Sequence, residues 1–317
     1  MMDTILPILL YVFALPVGIT LLSFVLSQKQ KGSLALSSGV IALNLGFYTA
    51  YLGHFGFSYD SLIWSLIGIS VLTLIGFWHK QFKIQLSFLL FPIAIIFLML
   101  LPYQALWKKG IVAMVKDQWI VDAAIFFAIL SFSFQSLLKE LITEKELVTE
   151  KEHSKQLSTQ IALTLASLAV AFLTSSIAIV IGGSISLGQL SGALGLVVAT
   201  IGLVVLFKGQ SFQLGNQQAL FDMATLAYLC LFSLLMNAHF YLSPELPKLF
   251  VVLILGLPFL SMKTYLWAKP RFRSLQNPYF AVISLVGLAV IMSALILGFE
   301  WYLEQIRLAE QGSAYPY

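Results

Sequence analysis

The sequence predicts an all-α integral membrane protein, a polytopic membrane helix bundle with about ten transmembrane helices. Of its 317 residues, 59% are hydrophobic and only 10% are charged, whereas a soluble domain carries about 25% charged residues. The apolar residues also fall into runs of about twenty, the length that crosses the hydrocarbon core of a bilayer. A chain with so few charged residues cannot form a water-exposed surface over most of its area, so we expect most of its surface to face lipid.

Ten candidate spans follow from these apolar runs. The first is expected to be a retained span, because the N-terminus has an acidic start and lacks the basic region of a cleaved signal peptide. Weak breaks between the second and third spans, and between the sixth and seventh, leave counts of eight or nine open. The predicted spans are 4–27, 33–54, 60–78, 84–103, 119–138, 158–182, 189–207, 219–241, 248–266 and 278–300.

A charged segment divides the chain into two halves of five spans. Residues 139–156 follow the fifth span directly and carry nine of the chain's 32 charged residues. We therefore expect a first membrane half at 1–138, a charged cytoplasmic helical connector at 139–157, and a second membrane half at 158–317 that ends in a short polar tail. The charged helix is expected either to be solvated or to dock a cytoplasmic protein partner.

The distribution of basic residues predicts the orientation. One set of alternate loops holds 13 Lys and Arg residues and the other holds five, and the richer set belongs in the cytoplasm by the positive-inside rule. Both termini then lie outside. The loop between the fourth and fifth spans carries three lysines on the poorer side, where Trp107 and Trp119 suit a segment lying on the membrane surface. We expect an integral protein of a cell membrane, such as the bacterial inner membrane.

Matching landmarks in the two halves suggest an inverted repeat. Pro92 in the fourth span pairs with Pro258 in the ninth, and Trp107 pairs with Trp267 in the loops that follow. An odd number of spans per half would invert the second copy, as in many secondary transporters, where broken helices lie near the substrate site. Chance similarity in apolar sequence is the alternative interpretation.

Uncharged polar groups and prolines within spans are candidates for a substrate path. Gln135 is the strongest of these candidates because it lies in the middle helix, and helix-to-helix bonding is the alternative role for the whole set. The hydroxyl groups of residues 174–176 allow the same two interpretations. The candidate path residues are Gln135, Pro92, Pro258, Asn44 and Asn237.

Two aspartates are the ionisable candidates within the membrane. Asp122 and Asp222 each occupy the fourth position of a predicted span. An acid in the first turn faces the positive end of its own helix dipole, which is ordinary helix-start chemistry. An intramembrane acid can also form a proton or cation site, so both interpretations stay open.

Small residues between the sixth and seventh spans predict close helix packing. Ser184, Gly188 and Gly192 are spaced by four, as are Ser191 and Gly195. Small residues at this spacing let helix backbones approach closely in lipid. The segment is expected to be a tightly packed helical hairpin, with a re-entrant turn lining a path as the alternative.

Cofactor and catalytic motifs are missing from the sequence. His54 and His239 are predicted at one depth and could bind haem or a metal, but interfacial histidine is the simpler interpretation. The single cysteine, Cys230, excludes a disulfide within the chain. Because no phosphate-binding loop, HExxH or GxSxG motif occurs, we expect no enzyme activity, no cofactor, no metal and no nucleic-acid partner; the expected partner is the lipid bilayer.

Two function hypotheses remain, and the sequence slightly favours the first, transport, because ten-span single chains of this size are most often transporters. A secondary transporter or permease for a small or amphipathic solute is favoured by the ten spans and the paired prolines. Ten spans in two halves of five also resemble the layout of the drug/metabolite transporter superfamily, although no motif is shared and the lysine distribution places the termini on the opposite side. A non-catalytic membrane subunit that scaffolds or assembles a larger complex is favoured by the scarcity of intramembrane charge and the two protruding charged helices.

Overall fold

The computed structural model describes residues 9–27, 150–182, 184–208 and 246–313, together with ten residues between 224 and 239. These residues are almost entirely helical, and no strand occurs among them. The helices are a π-helical turn at Leu9–Ala14, α1 (Leu15–Ser27), α2 (Glu150–Ile181), α3 (Ile185–Lys208), α4 (Lys248–Ala268), a short 3-10 helix at Arg273–Gln276 and α5 (Pro278–Ser313).

Four of the predicted spans are confirmed as helices long and apolar enough to cross a bilayer. Their bounds lie within three residues of the sixth, seventh, ninth and tenth predicted spans. The break between the sixth and seventh spans is therefore a true turn between two helices. The apolar stretches are Thr159–Ile181, Leu187–Phe207, Lys248–Ala268 and Tyr279–Leu303.

The other predicted spans are described in part or not at all. Within the first span, the apolar helix Val12–Leu22 is shorter than a full crossing. The ten described residues of the eighth span, 219–241, are all helical. The second to fifth spans lie outside the described residues, so the total of ten remains a prediction.

Two helices extend beyond their apolar stretches. α2 has 32 residues and α5 has 36, which correspond to about 48 Å and 54 Å at 1.5 Å per residue. Residues 150–157, which the sequence assigns to the charged connector, form the first two turns of α2. The last turns of α5 likewise run on through a charged stretch to Ser313.

α2 is the central helix of the described bundle. It packs against α3, α4 and α5, and α3 also contacts α1. The side chains of Leu165, Phe172 and Ile179 on α2 are fully buried. Because lipid is as apolar as these side chains, their burial alone does not hold the helices together, and close packing and polar bonds must contribute.

Ring contacts show that neighbouring helices are antiparallel. Phe207 at the end of α3 lies 5.8 Å, between ring centroids, from Tyr279 at the start of α5. Phe250 near the start of α4 lies 6.1 Å from Phe299, far along α5. The ends of α3 and α4 and the start of α5 thus share one end of the bundle, here named the basic end. Its basic residues include Lys208, Lys269 and Arg271.

Candidate functional site

Gly188 and Gly192 lie where α3 meets α2. A Cβ atom at Gly188 would lie 2.4 Å from Cγ2 of Val180 and 2.8 Å from the carbonyl oxygen of Ser176. At Gly192 the nearest atom would be Oγ of Ser176, at 3.1 Å. The two backbones are therefore closer at Gly188 than any residue with a Cβ permits without a shift, which is the geometry of a tightly packed helical hairpin.

The same stripe of small residues continues along α3. A Cβ at Gly195 would lie 2.9 Å from Cβ of Phe172, and one at Gly202 would lie 3.2 Å from Cβ of Leu165. Gly202 was not among the residues singled out from the sequence. Its spacing of seven from Gly195 was the available indication, because residues seven apart share one helix face.

Ser184 has a different role from the two glycines. It lies in the turn before α3, and its Oγ accepts a hydrogen bond from the backbone N–H of Leu187 at 3.4 Å. Its own N–H donates to the carbonyl of Ile179 at 3.1 Å. Ser184 thus caps the start of α3 and closes the turn, satisfying backbone groups that lipid could not satisfy.

Three consecutive hydroxyl groups on α2 bond to two other helices. Thr174 donates to Oγ of Ser293 on α5 at 2.6 Å. The hydroxyls of Ser175 and Ser191 on α3 are hydrogen-bonded to each other. Oγ of Ser176 donates to the carbonyl of Gly188 at 2.6 Å. Residues 174–176 therefore bond across helices, the second of the two roles that the sequence allows.

The partner hydroxyls also have acceptors on a helix backbone. Ser191 donates to the carbonyl of Phe172 at 2.9 Å, and Ser293 donates to the carbonyl of Ala289 at 2.7 Å. Both side chains are buried. This buried network joins α2, α3 and α5 and uses its hydrogen-bonding groups within the protein.

Pro258 is the central residue of α4 and is buried. A proline has no N–H, so the carbonyl of Ile254, four residues earlier, loses its helical donor. The hydroxyl of Tyr228, from the eighth predicted span, donates to the neighbouring carbonyl of Leu255. The polar backbone around the proline therefore contacts a protein side chain. Tyr228 was missed from the sequence, although a tyrosine at mid-span is unusual, since tyrosine favours the membrane interfaces.

His239 is buried within the protein near the end of the eighth predicted span. Its side chain is 3% exposed, and Nδ1 lies 2.6 Å from the carbonyl oxygen of Leu246. Since a carbonyl only accepts, Nδ1 carries the proton in this bond. The N–H of Leu246 donates to the carbonyl of Ala238 at 3.3 Å, so His239 helps to join the eighth span to the start of α4. Among the described residues, no group of three His, Cys, Asp or Glu side chains could hold a metal.

Most of the predicted path and ionisable residues lie outside the part of the chain that the structure describes. The pairing of Pro92 with Pro258 stays a prediction, because Pro258 alone of the two lies among the described residues. The residues outside are Gln135, Pro92, Asn44, Asn237, Asp122, Asp222 and His54.

Comparison with known proteins found no matching family model, no matching curated sequence and no matching solved structure. The class of the protein therefore follows from its own helices. Four apolar helices of spanning length, joined by buried hydroxyl groups and close glycine contacts, indicate a helical membrane protein.

Proposed function

We propose that this protein is a non-catalytic membrane subunit that scaffolds or assembles a larger membrane complex. The observation that carries the proposal is the use of the buried hydroxyls of α2, α3 and α5. Thr174, Ser175 and Ser176 each bond to another helix, whereas a solute path needs polar groups that exchange partners with water or solute. A fixed polar network favours a rigid support.

The exposed face of α5 is the second support for a scaffold. Only 22% of the most apolar stretch of α5 is buried within the protein, against 67% of the corresponding stretches of α2 and α3. The exposed side chains include Ile291 at 61% and Leu295 at 69%. In this proposal α5 carries the contact with the partner subunit, and the charged segment 139–156 docks a cytoplasmic component. We further propose that the membrane is a cell membrane, specifically the bacterial inner membrane.

A transporter or permease for a small or amphipathic solute is the competing function. This function is supported by Pro258 at the centre of α4. The pairing of Pro92 with Pro258 predicts a broken helix at this place. The two functions differ in what should surround the second half. A scaffold has a protein partner on α5, whereas a transporter needs an aqueous path between its helices.

Site-specific photo-crosslinking in native membranes tests the scaffold. A photoreactive phenylalanine analogue at Ile291 or Leu295 is expected to give a discrete protein adduct. The matched control is Leu203 on α3, which is also half exposed and is expected to give none. Lipid adducts alone at all three positions, with the chain extracted by mild detergent as a lone monomer, would contradict a scaffold and favour transport.

A further inference from the structure

Basic residues are concentrated at the turn between α4 and α5. From the start of α4 to Phe299 the chain has no acidic residue and five basic ones, four of which fall within residues 263–273. The first two turns of α2 reach the same end of the bundle with two Glu and two Lys, so they do not offset this charge. The four basic residues at the turn are Lys263, Lys269, Arg271 and Arg273.

Arg271 is held in place by an exposed tryptophan. Its guanidinium carbon lies 3.8 Å from the centroid of the Trp267 ring, and Nη1 donates to the carbonyl of Trp267 at 2.7 Å. The Trp267 side chain is 62% exposed. Stacking on a ring face fixes the plane of the guanidinium, so this positive charge has a defined position at the surface.

Exposed aromatic side chains place this turn at the level of the lipid headgroups. Rings at headgroup depth form the aromatic belts of membrane proteins, because one side of each ring favours apolar surroundings and the other favours water. The exposed rings around the turn are Trp267, Phe272, Tyr279 and Phe280.

The turn itself is fixed to both helices. The hydroxyl of Tyr265 on α4 donates to the carbonyl of Leu275 at 3.3 Å. Oδ1 of Asn277 accepts from the N–H of Tyr279 at 3.0 Å and caps the start of α5. The positive end of the α5 dipole therefore adds to the positive charge of the turn.

We propose that this α4–α5 corner, residues 267–280, binds the phosphate headgroup of an anionic phospholipid. Arg271 supplies planar N–H donors that match phosphate oxygens, and Lys269 and the α5 N-terminus add positive charge. The exposed rings beside these groups contact the upper acyl chains. This apolar contact favours a lipid over a soluble anion, which would need the charges alone.

Lipid binding to the purified full-length chain tests the proposal. In neutral detergent, dioctanoyl phosphatidylglycerol is titrated into the wild type and into the double variant Lys269→Gln/Arg271→Gln, and bound lipid is counted by native mass spectrometry. Each basic residue removed near an anionic surface is expected to weaken binding about fivefold. The matched control is Lys248→Gln/Arg307→Gln, which removes one Lys and one Arg at the opposite end. It is expected to bind as the wild type does.

Two further measurements identify the chemistry that is recognised. Phosphatidylcholine of the same chain length is expected to bind much more weakly, and inorganic phosphate should not displace the bound phosphatidylglycerol. Equal binding of both lipids, or an equal loss in both double variants, would overturn the site. Displacement by inorganic phosphate at equal concentration would overturn the assignment to a lipid. Circular dichroism and gel filtration of each variant establish that a loss of binding is not a loss of fold.

Discussion

The α2–α3 hairpin and the last helix, α5, are both apolar enough to span a bilayer, yet their glycines are used in opposite ways. Along α3, Gly188 and Gly195 lie against α2 so closely that an added Cβ would meet another atom at 2.4 Å and 2.9 Å. On α5, among the residues that the structure describes, no atom of another element lies within 4 Å of the Cβ position at Gly287 or Gly298.

Polar bonding shows the same contrast. The hairpin has bonds between its helices that involve Ser175, Ser176 and Ser191, whereas the bond seen between the spanning parts of α5 and α2 is that of Thr174 with Ser293. Apolar burial gives little attraction between helices in lipid. The hairpin is therefore held together by close contacts and hydrogen bonds of its small and hydroxylated residues, whereas α5 leaves an exposed apolar face for lipid or another protein.

A glycine-to-alanine substitution should change the free energy of unfolding far more on α3 than on α5, and this is the largest effect that we expect. Gly188→Ala places a Cβ 2.8 Å from the carbonyl oxygen of Ser176, and backbone cannot move as a side chain can. We expect the free energy of unfolding to fall by about 1–3 kcal/mol. Gly287→Ala, the matched control, should leave stability unchanged or raise it by up to about 1 kcal/mol, since alanine favours a helix. Thermal unfolding in one detergent measures both, and equal effects would remove the contrast.

Removing the Tyr228 hydroxyl, which bonds to the backbone of α4 near Pro258, should give the next largest loss of stability. Tyr228→Phe leaves the carbonyl of Leu255 without this donor, and the expected loss of stability is about 1 kcal/mol. Tyr302→Phe is the control, because Tyr302 is 57% exposed on α5 and should tolerate the change. Urea or SDS titration followed by circular dichroism compares the two. If Tyr228→Phe is as stable as the control, the hydrogen bond at Leu255 does not support the helix.

Removing the hydrogen bond between Thr174 on α2 and Ser293 on α5 should give the smallest change in stability. A double-mutant cycle with Thr174→Val and Ser293→Ala isolates the pair that lies 2.6 Å apart. We expect a coupling free energy of about 0.6 kcal/mol, the average for polar pairs between membrane helices. The parallel cycle with Ser175→Ala and Ser191→Ala applies the same measurement to the hairpin. A coupling larger for the α2–α5 pair than for the hairpin pair would contradict the view that the hairpin is the more strongly bonded of the two.

Helix existence could be predicted from the sequence, because a long apolar run has few alternatives to a helix in lipid. The spacing of Gly188 and Gly192 likewise indicated a packed face, since residues four apart share one side of a helix. The sequence could not show which helix meets that face, because every span is apolar on all sides and thus compatible with many neighbours.

The polar contacts across helices were the part that could not be predicted. Ser293 and Tyr228 are polar residues in mostly apolar spans, and their partners lie 119 and 27 positions away in the chain. Such pairs depend on the rotation of each helix about its own axis, which weak amphipathicity does not fix. His239 illustrates the same limit: its position near a span end predicted its depth, but the sequence could not show that its ring is buried against Leu246.

Access of water to the centre of the bundle is the most direct test of the central claim, that the hydroxyls of α2, α3 and α5 bind helices together and do not line a path. Single cysteines at Ser293 and at exposed Ser274 are introduced on a Cys230→Ser background, and a charged, water-soluble thiol reagent is applied to the protein in vesicles from both sides. We predict rapid labelling of Ser274→Cys and none of Ser293→Cys until the protein is denatured in SDS. Labelling of Ser293→Cys in the folded protein at a rate close to that of Ser274→Cys would contradict the claim, because it would require an aqueous path to the middle of α5.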